Sequence, residues 1–202
     1  NLWIGTNGGG LIYFDREKNT YRQFLHDPDD PNSLSSNVIV SLHIDHENKL
    51  WIGTYYGGLN VYDGRKFTRY SFDAQNPESI SDRNIWEIFE DSRNRLWIGT
   101  MHGGVDLFNR STNSFSHYRM DDINSVKSNY VAAIAEDKKG NLWFGTALGL
   151  DMLERESGRF IHYQNDKKDK GSISDGYIFD IKQDSRGRIW VATRNGLNIF
   201  DE

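Results

Sequence analysis

Leu50-Trp51-Ile52-Gly53-Thr54, followed by Tyr55-Tyr56-Gly57-Gly58-Leu59, decides the fold, because its first half returns throughout the 202 residues. The other copies are Leu2-Trp3-Ile4-Gly5-Thr6, Leu96-Trp97-Ile98-Gly99-Thr100, Leu142-Trp143-Phe144-Gly145-Thr146 and Ile189-Trp190-Val191-Ala192-Thr193. Their tryptophans stand 48, 46, 46 and 47 residues apart, so one repeated unit fills the chain. Periods of this size belong to propellers and solenoids, in which a single supersecondary unit cannot bury its own apolar face.

Within a unit, Leu50 to Thr54 reads as a short strand, and Gly57-Gly58 supplies a turn that tolerates positive φ. Leu59-Asn60-Val61-Tyr62-Asp63 alternates apolar with polar as the returning strand. After the Asp63-Gly64 turn, Lys66-Phe67-Thr68-Arg69-Tyr70 forms a third strand. A polar loop then leads through Ser79-Ile80-Ser81 to a fourth around Ile85-Trp86-Glu87-Ile88-Phe89. The other units repeat this grammar, including Ser33-Leu34-Ser35, Ser125-Val126-Lys127 and Ser172-Ile173-Ser174. Asp45, Asp91, Asp137 and Asp184 each lie six residues before a tryptophan. Four short antiparallel strands in about 47 residues make a propeller blade.

The fold class is therefore all-β: a β-propeller of four-stranded antiparallel blades. We label the pre-Trp strand A, the Trp strand B, and the next two C and D. The segments amount to 18 strands, about four and a half blades, with repeats at 1–34 (lacking A), 35–80, 81–126, 127–173 and 174–202 (lacking D). A ring that closes on itself hides its sheet edges, so the expectation is a partial ring of a larger propeller with seven or eight blades, or a tandem of rings.

Bulk properties narrow the function. A net charge of −5 without a basic stripe argues against nucleic acid, whose binding rests on neutralising phosphates. No run approaches the roughly 18 apolar residues needed to span a bilayer, so no direct membrane insertion is expected, and any signal peptide or anchor is expected outside these residues. Cysteine is absent, which removes disulfides, thiol catalysis and Cys-based zinc sites. The histidines form no metal set and no nucleophile elbow or phosphate loop is present. Neither a catalytic residue, a metal nor a cofactor is expected.

The acidic turn, Leu-Trp-Ile-Gly-Thr, Gly-Gly-Leu, Phe-x-x-Tyr and Ser-Leu-Ser together resemble the two-component regulator propeller repeat along the whole chain. Ala192 departs from the strand glycine, and Gly149 and Gly196 stand alone where other copies have a pair. The resemblance implies the periplasmic sensor region of a hybrid two-component system from glycan-degrading gut bacteria. It implies further blades, a membrane helix and a histidine kinase elsewhere in the parent protein, signalling by phosphorelay. The implied ligand is an oligosaccharide, and a homodimer is one expected assembly.

A residue required identically by every blade serves the blade, so the five motif tryptophans read as inter-blade core. The four aspartates read as acceptors of turn N–H bonds. Function is expected where repeats differ on one face, where B–C turns and the leads into A strands emerge together. That face carries Tyr55, Tyr56, Met101, His102, Arg194 and Asn195 from the turns, and Arg83, Asn84, Tyr130 and Tyr177 from the A-strand starts. Aromatic faces stack on sugar C–H surfaces, while Asn and Arg bond hydroxyls or carboxylates. Trp86, whose counterparts are Val40, Ala132 and Phe179, has two readings: packing against the next strand, or a channel-facing platform. Glu87 and Asp180 share one A-strand position and suggest channel charges, a cation site, or an acid–base pair for glycoside cleavage if about 5–10 Å apart. A polysaccharide-active lyase or glycosidase and a protein-binding scaffold are the rival readings, because propellers host all three.

Overall fold

A computed structural model describes residues 1–200 and shows an all-β chain, without a helix among them. The expected last repeat runs to residue 202, and its final two residues lie outside the described residues. Five antiparallel sheets follow one another along the chain. The first holds β1 (Leu2–Gly5), β2 (Leu11–Asp15) and β3 (Thr20–Phe24). The second holds β4 (Ile39–Ile44), β5 (Leu50–Thr54), β6 (Leu59–Tyr62) and β7 (Phe67–Tyr70). The third holds β8 (Ile85–Glu90), β9 (Leu96–Thr100), β10 (Val105–Asn109) and β11 (Ser114–Tyr118). The fourth holds β12 (Val131–Glu136), β13 (Leu142–Thr146), β14 (Leu150–Leu153) and β15 (Phe160–Tyr163). The last holds β16 (Ile178–Gln183), β17 (Ile189–Thr193) and β18 (Gly196–Phe200).

Each sheet is a meander whose strands pair in sequence order, as short turns require. The A strands β4, β8, β12 and β16 pack against one another from sheet to sheet, which makes them the inner wall. The apolar faces cannot be buried within a sheet, so the core lies between sheets. Trp51, Leu59 and Val61 pack against Ile85, Ile88, Ile98 and Phe108 of the next sheet. Trp143, Leu150 and Met152 pack in the same way against Ile178, Ile181 and Val191.

The strand glycine is what lets sheets approach. A Cβ on Gly53 would stand 2.8 Å from Cγ2 of Ile85, and one on Gly145 would stand 2.6 Å from Cγ2 of Ile178. Both neighbours open the A strand of the following sheet. Ala192 has no following sheet against it among the described residues.

The repeated tryptophan and aspartate form one unit. Nε1 of Trp51, Trp97, Trp143 and Trp190 donates to Asp45, Asp91, Asp137 and Asp184 at 2.8, 2.9, 2.9 and 3.0 Å. The same four carboxylates accept turn N–H groups through their other oxygen, as from Lys139 and Asn141 to Asp137. Turn acceptance was expected from the sequence; the indole bond accounts for the fixed spacing of six. Trp51, Trp97 and Trp143, which are fully buried, each also bury on the order of 200 Å², worth roughly 5 kcal/mol of transfer free energy. A hydrogen bond to a charged acceptor contributes about 1.5–3 kcal/mol net. Burial therefore drives the packing, while the carboxylate removes the penalty for a dry indole N–H.

Asp137→Ala leaves that indole and two turn N–H groups without their acceptor. It is expected to lower the unfolding free energy by roughly 2–4 kcal/mol, read as a lower urea midpoint.

Candidate functional site

Backbone hydrogen bonds bring the B–C turns and the A-strand leads to one face. Tyr55 N donates to Val38 O of its own sheet, and Gly58 N donates to Arg83 O of the next at 2.8 Å. Gly10 to Asn37 and Gly104 to Asn129 repeat the second bond at two other sheet junctions. A turn on this face is therefore held on one side by its own blade and on the other by its neighbour.

Several expected ligand residues are already engaged in this stitching. Asn84 is buried; its Oδ1 accepts Tyr56 N at 3.0 Å and its Nδ2 donates to Asp82. His102 N donates to Asp82 Oδ2 at 2.7 Å, and its ring Nδ1 lies 3.2 Å from the same oxygen. Arg194 pairs with Asp175 at 3.2 Å. Met101 is half-buried, its N bonded to Asn84 O, while Arg83 and Asn195 are exposed. The rings of Tyr55 and Tyr56 lie 4.2 Å apart, and Tyr56 is 69% exposed. Tyr56 also has φ of 66°, a left-handed conformation that side chains with a Cβ seldom adopt. The Asn84 amide holds it there.

The inner wall shows what the sequence left unread. All four A strands carry a register shift at the same place, between Ile39 and Ser41, Ile85 and Glu87, Val131 and Ala133, and Ile178 and Asp180. The extra residue is Val40, Trp86, Ala132 or Phe179. Bulges re-aim a side chain relative to the ladder. Trp86 packs on Tyr130 at the start of the next sheet at 5.8 Å, as its packing reading expected, and stays half-exposed. Tyr130 contacts Tyr177 at 5.4 Å, and Tyr177 contacts Phe179 at 5.2 Å. The four rings form a continuous series across three sheets. Burial, then the Tyr177 hydroxyl, raises the Tyr130 phenol above its ordinary value.

Glu87 sits beside Trp86. Burial carries its carboxyl up to about 7; Lys182 and the Ile88 N–H pull it down, and Asp180 pushes it up. Two blades apart in sequence, Glu87 and Asp180 thus feel one another's charge. Asp180 lies 3.5 Å from Lys182 Nζ.

Charges at the A–B turns and on the D strands have evident structural work. Glu90 accepts His46 N at 2.8 Å and Arg110 at 2.6 Å, and Glu136 accepts Ser92 N at 2.7 Å, so the end of one A strand caps the preceding sheet's turn. His117 and His162 bond Asp106 and Asp151 on the adjoining strand. Asp106 and Asp151 also accept the N–H of Ser81 and Lys127, which anchors the loops leading inward. Two inter-sheet clefts of about 590 and 560 Å³ open near these strands. Arg110, which lines the first, is taken up by Asp45 and Glu90.

Four segments, residues 33–56, 79–102, 125–147 and 172–195, match the model of the two component regulator propeller. These four segments are two-component regulator propeller repeats. Each matched segment runs from the Ser-x-Ser lead through the A strand and the Trp strand into the B–C turn. The repeats are 38% identical over 60 residues to histidine kinase P4 of Formosa agariphila, covering 30% of this chain and 4% of that protein. The fold is similar to the extracellular domain of a hybrid two component system from B. thetaiotaomicron, with a TM-score of 0.79 and 26% identity over 99% of this chain. The chain spans 26% of that domain. Virginiamycin B lyase from Staphylococcus aureus shares the fold at 13% identity and a TM-score of 0.70, covering 98% of this chain and 65% of the lyase.

Asn84→Ala removes the side-chain bond that holds the Tyr56 turn to its neighbour, leaving the Gly58–Arg83 backbone bond, and is expected to cost about 1–2 kcal/mol in a urea titration. Glu87 gives a pH signature. Between about 4.5 and 7 the folded chain keeps a proton that the unfolded chain releases, so stability falls as pH rises through that window. The loss is at most about 3 kcal/mol. In Glu87→Gln, thermal melts at pH 4.5 and 8 are expected to differ by less than in the parent chain.

Proposed function

We propose that this chain is a non-enzymatic ligand-sensing segment of a periplasmic two-component receptor, which reads oligosaccharides and signals to a histidine kinase. The likeness to the extracellular domain of a hybrid two component system, over 99% of the chain, carries the reading. The histidine kinase relative supports the kinase partner. The ligand sits on the face built from the B–C turns and A-strand leads, where Tyr55, Tyr56, Tyr130 and Tyr177 offer ring faces. A ligand touching several blades stabilises one relative placement of sheets over another, and differential affinity is all that a sensor needs. The remaining blades and the membrane and kinase parts of the parent protein would carry that change onward.

One observation favours a second reading. Glu87, its carboxyl pushed by burial up to about 7 within reach of the Asp180 charge, could serve as a general acid. That arrangement would suit a polysaccharide-active enzyme.

Isothermal titration of the full-length receptor's sensor region against an oligosaccharide panel, with a reducing-end assay on the same mixtures, separates the two. Binding without turnover is expected, together with a ligand-dependent change in kinase autophosphorylation. Turnover that disappears in Glu87→Gln would replace the sensor reading with the enzymatic one, and absence of any binding would remove the oligosaccharide.

A further inference from the structure

The inner-wall rings belong to three successive sheets, and no repeat requirement explains them. Trp86 comes from the third sheet, Tyr130 from the fourth, and Tyr177 and Phe179 from the fifth. Trp86 and Phe179 occupy the bulge position, which holds a buried Ala132 in the fourth sheet, while Tyr130 and Tyr177 stand on the leads just before β12 and β16. Phe179 is 55% exposed, an unusual cost for a phenylalanine on a wall whose equivalent position can be alanine.

The polar groups beside the rings are few. Glu87 and Asp180 each directly follow a ring-bearing bulge residue, and Lys182 lies against Asp180. Lys182 lies 3.5 Å from Asp180, so among the described residues this wall cation meets a ligand's carboxylate or sulfate only in competition with Asp180. An anionic ligand would also meet Asp180 and Glu87. Arg83, an exposed cation, stands at the rim on the lead into β8.

We infer that Trp86, Tyr130, Tyr177 and Phe179 form a stacking subsite for an uncharged oligosaccharide, with Glu87 and the Asp180–Lys182 pair bonding its hydroxyls. This rests on the reading of the chain as an oligosaccharide-binding segment, and it names both the subsite and the charge of the sugar. Tilted rings at 39–56° to one another present separate faces along an arc instead of stacking on themselves. A bent chain of pyranose rings can meet such an arc with successive C–H faces. A carboxyl that stays protonated near neutral pH donates a hydrogen bond as well as accepting one, which suits a hydroxyl and gives no attraction to an anion. The subsite spans three sheets, so filling it couples them directly.

Isothermal titration of the receptor's intact sensor region tests this with two neutral probes, cellohexaose and xylohexaose, and one acidic probe, a hexagalacturonate. Three variants are compared with the parent: Phe179→Ala, Tyr55→Ala/Tyr56→Ala and Arg83→Ala. Phe179 is exposed enough that its removal should leave folding intact, which a circular dichroism melt checks. The inference expects a neutral probe to bind at least tenfold more tightly than the acidic one. It expects Phe179→Ala to weaken that binding at least tenfold, Arg83→Ala to change it less than twofold, and Trp86 emission to shift on saturation. Neutral-probe binding lost in the Tyr55/Tyr56 variant but kept in Phe179→Ala would overturn the subsite while leaving the sensor reading in place. Preference for hexagalacturonate, abolished by Arg83→Ala, would overturn the uncharged class. Failure of every probe to bind the parent would overturn the subsite together with the oligosaccharide reading.

Discussion

The bond from a buried indole N–H to a carboxylate six residues earlier underlies the rest of the structure. An aspartate at the A–B turn has two oxygens, and each has a separate task. One gathers the turn's backbone N–H groups; the other meets the tryptophan that enters the gap between sheets. The turn cannot change shape without disturbing the inter-sheet core, and the core cannot shift without releasing the turn. Four such units, from Asp45–Trp51 to Asp184–Trp190, repeat nearly the same geometry.

Once the sheets are locked together in this way, the inner edge of each becomes a fixed surface. The strand glycine sets how closely the next sheet comes, and the backbone bonds between turns and leads set which residues share the upper face. Repeated residues are consumed by these tasks. What remains free to vary is the pair of turn residues before each glycine, the residue at the A-strand bulge, and the residue after it. Those variable places hold Tyr55, Tyr56, Trp86, Glu87, Phe179 and Asp180. The repeat itself thus separates residues that build blades from residues open to another task.

Much of this was legible in the sequence. The tryptophan period gave the blades, and alternation placed all 18 strands in the order the structure shows. The recognition of the repeat agrees with the matched family model. The site was less legible, for reasons that are physical. A bulge is a property of register between two strands, and nothing in Ile85-Trp86-Glu87 alone marks it. Whether Asn84 faces a ligand or a neighbouring turn depends on a hydrogen bond 28 residues away in sequence, to Tyr56 N. The indole–carboxylate bond left a trace as fixed spacing, but spacing could not say which oxygen did what. The D-strand pairs His117–Asp106 and His162–Asp151 left a similar trace, since His and Asp recur together in the same two repeats.

Indole N–H signals distinguish the two classes of tryptophan most directly, because Trp86 lacks the carboxylate partner that four of the others have. In a ¹⁵N-correlated NMR spectrum with solvent exchange, the indoles of Trp51, Trp97 and Trp143 should exchange slowly and stay in place when an oligosaccharide is added. The Trp86 indole should exchange quickly and move. Movement of the buried set with Trp86 unchanged would contradict the separation of blade-building from ligand-reading residues.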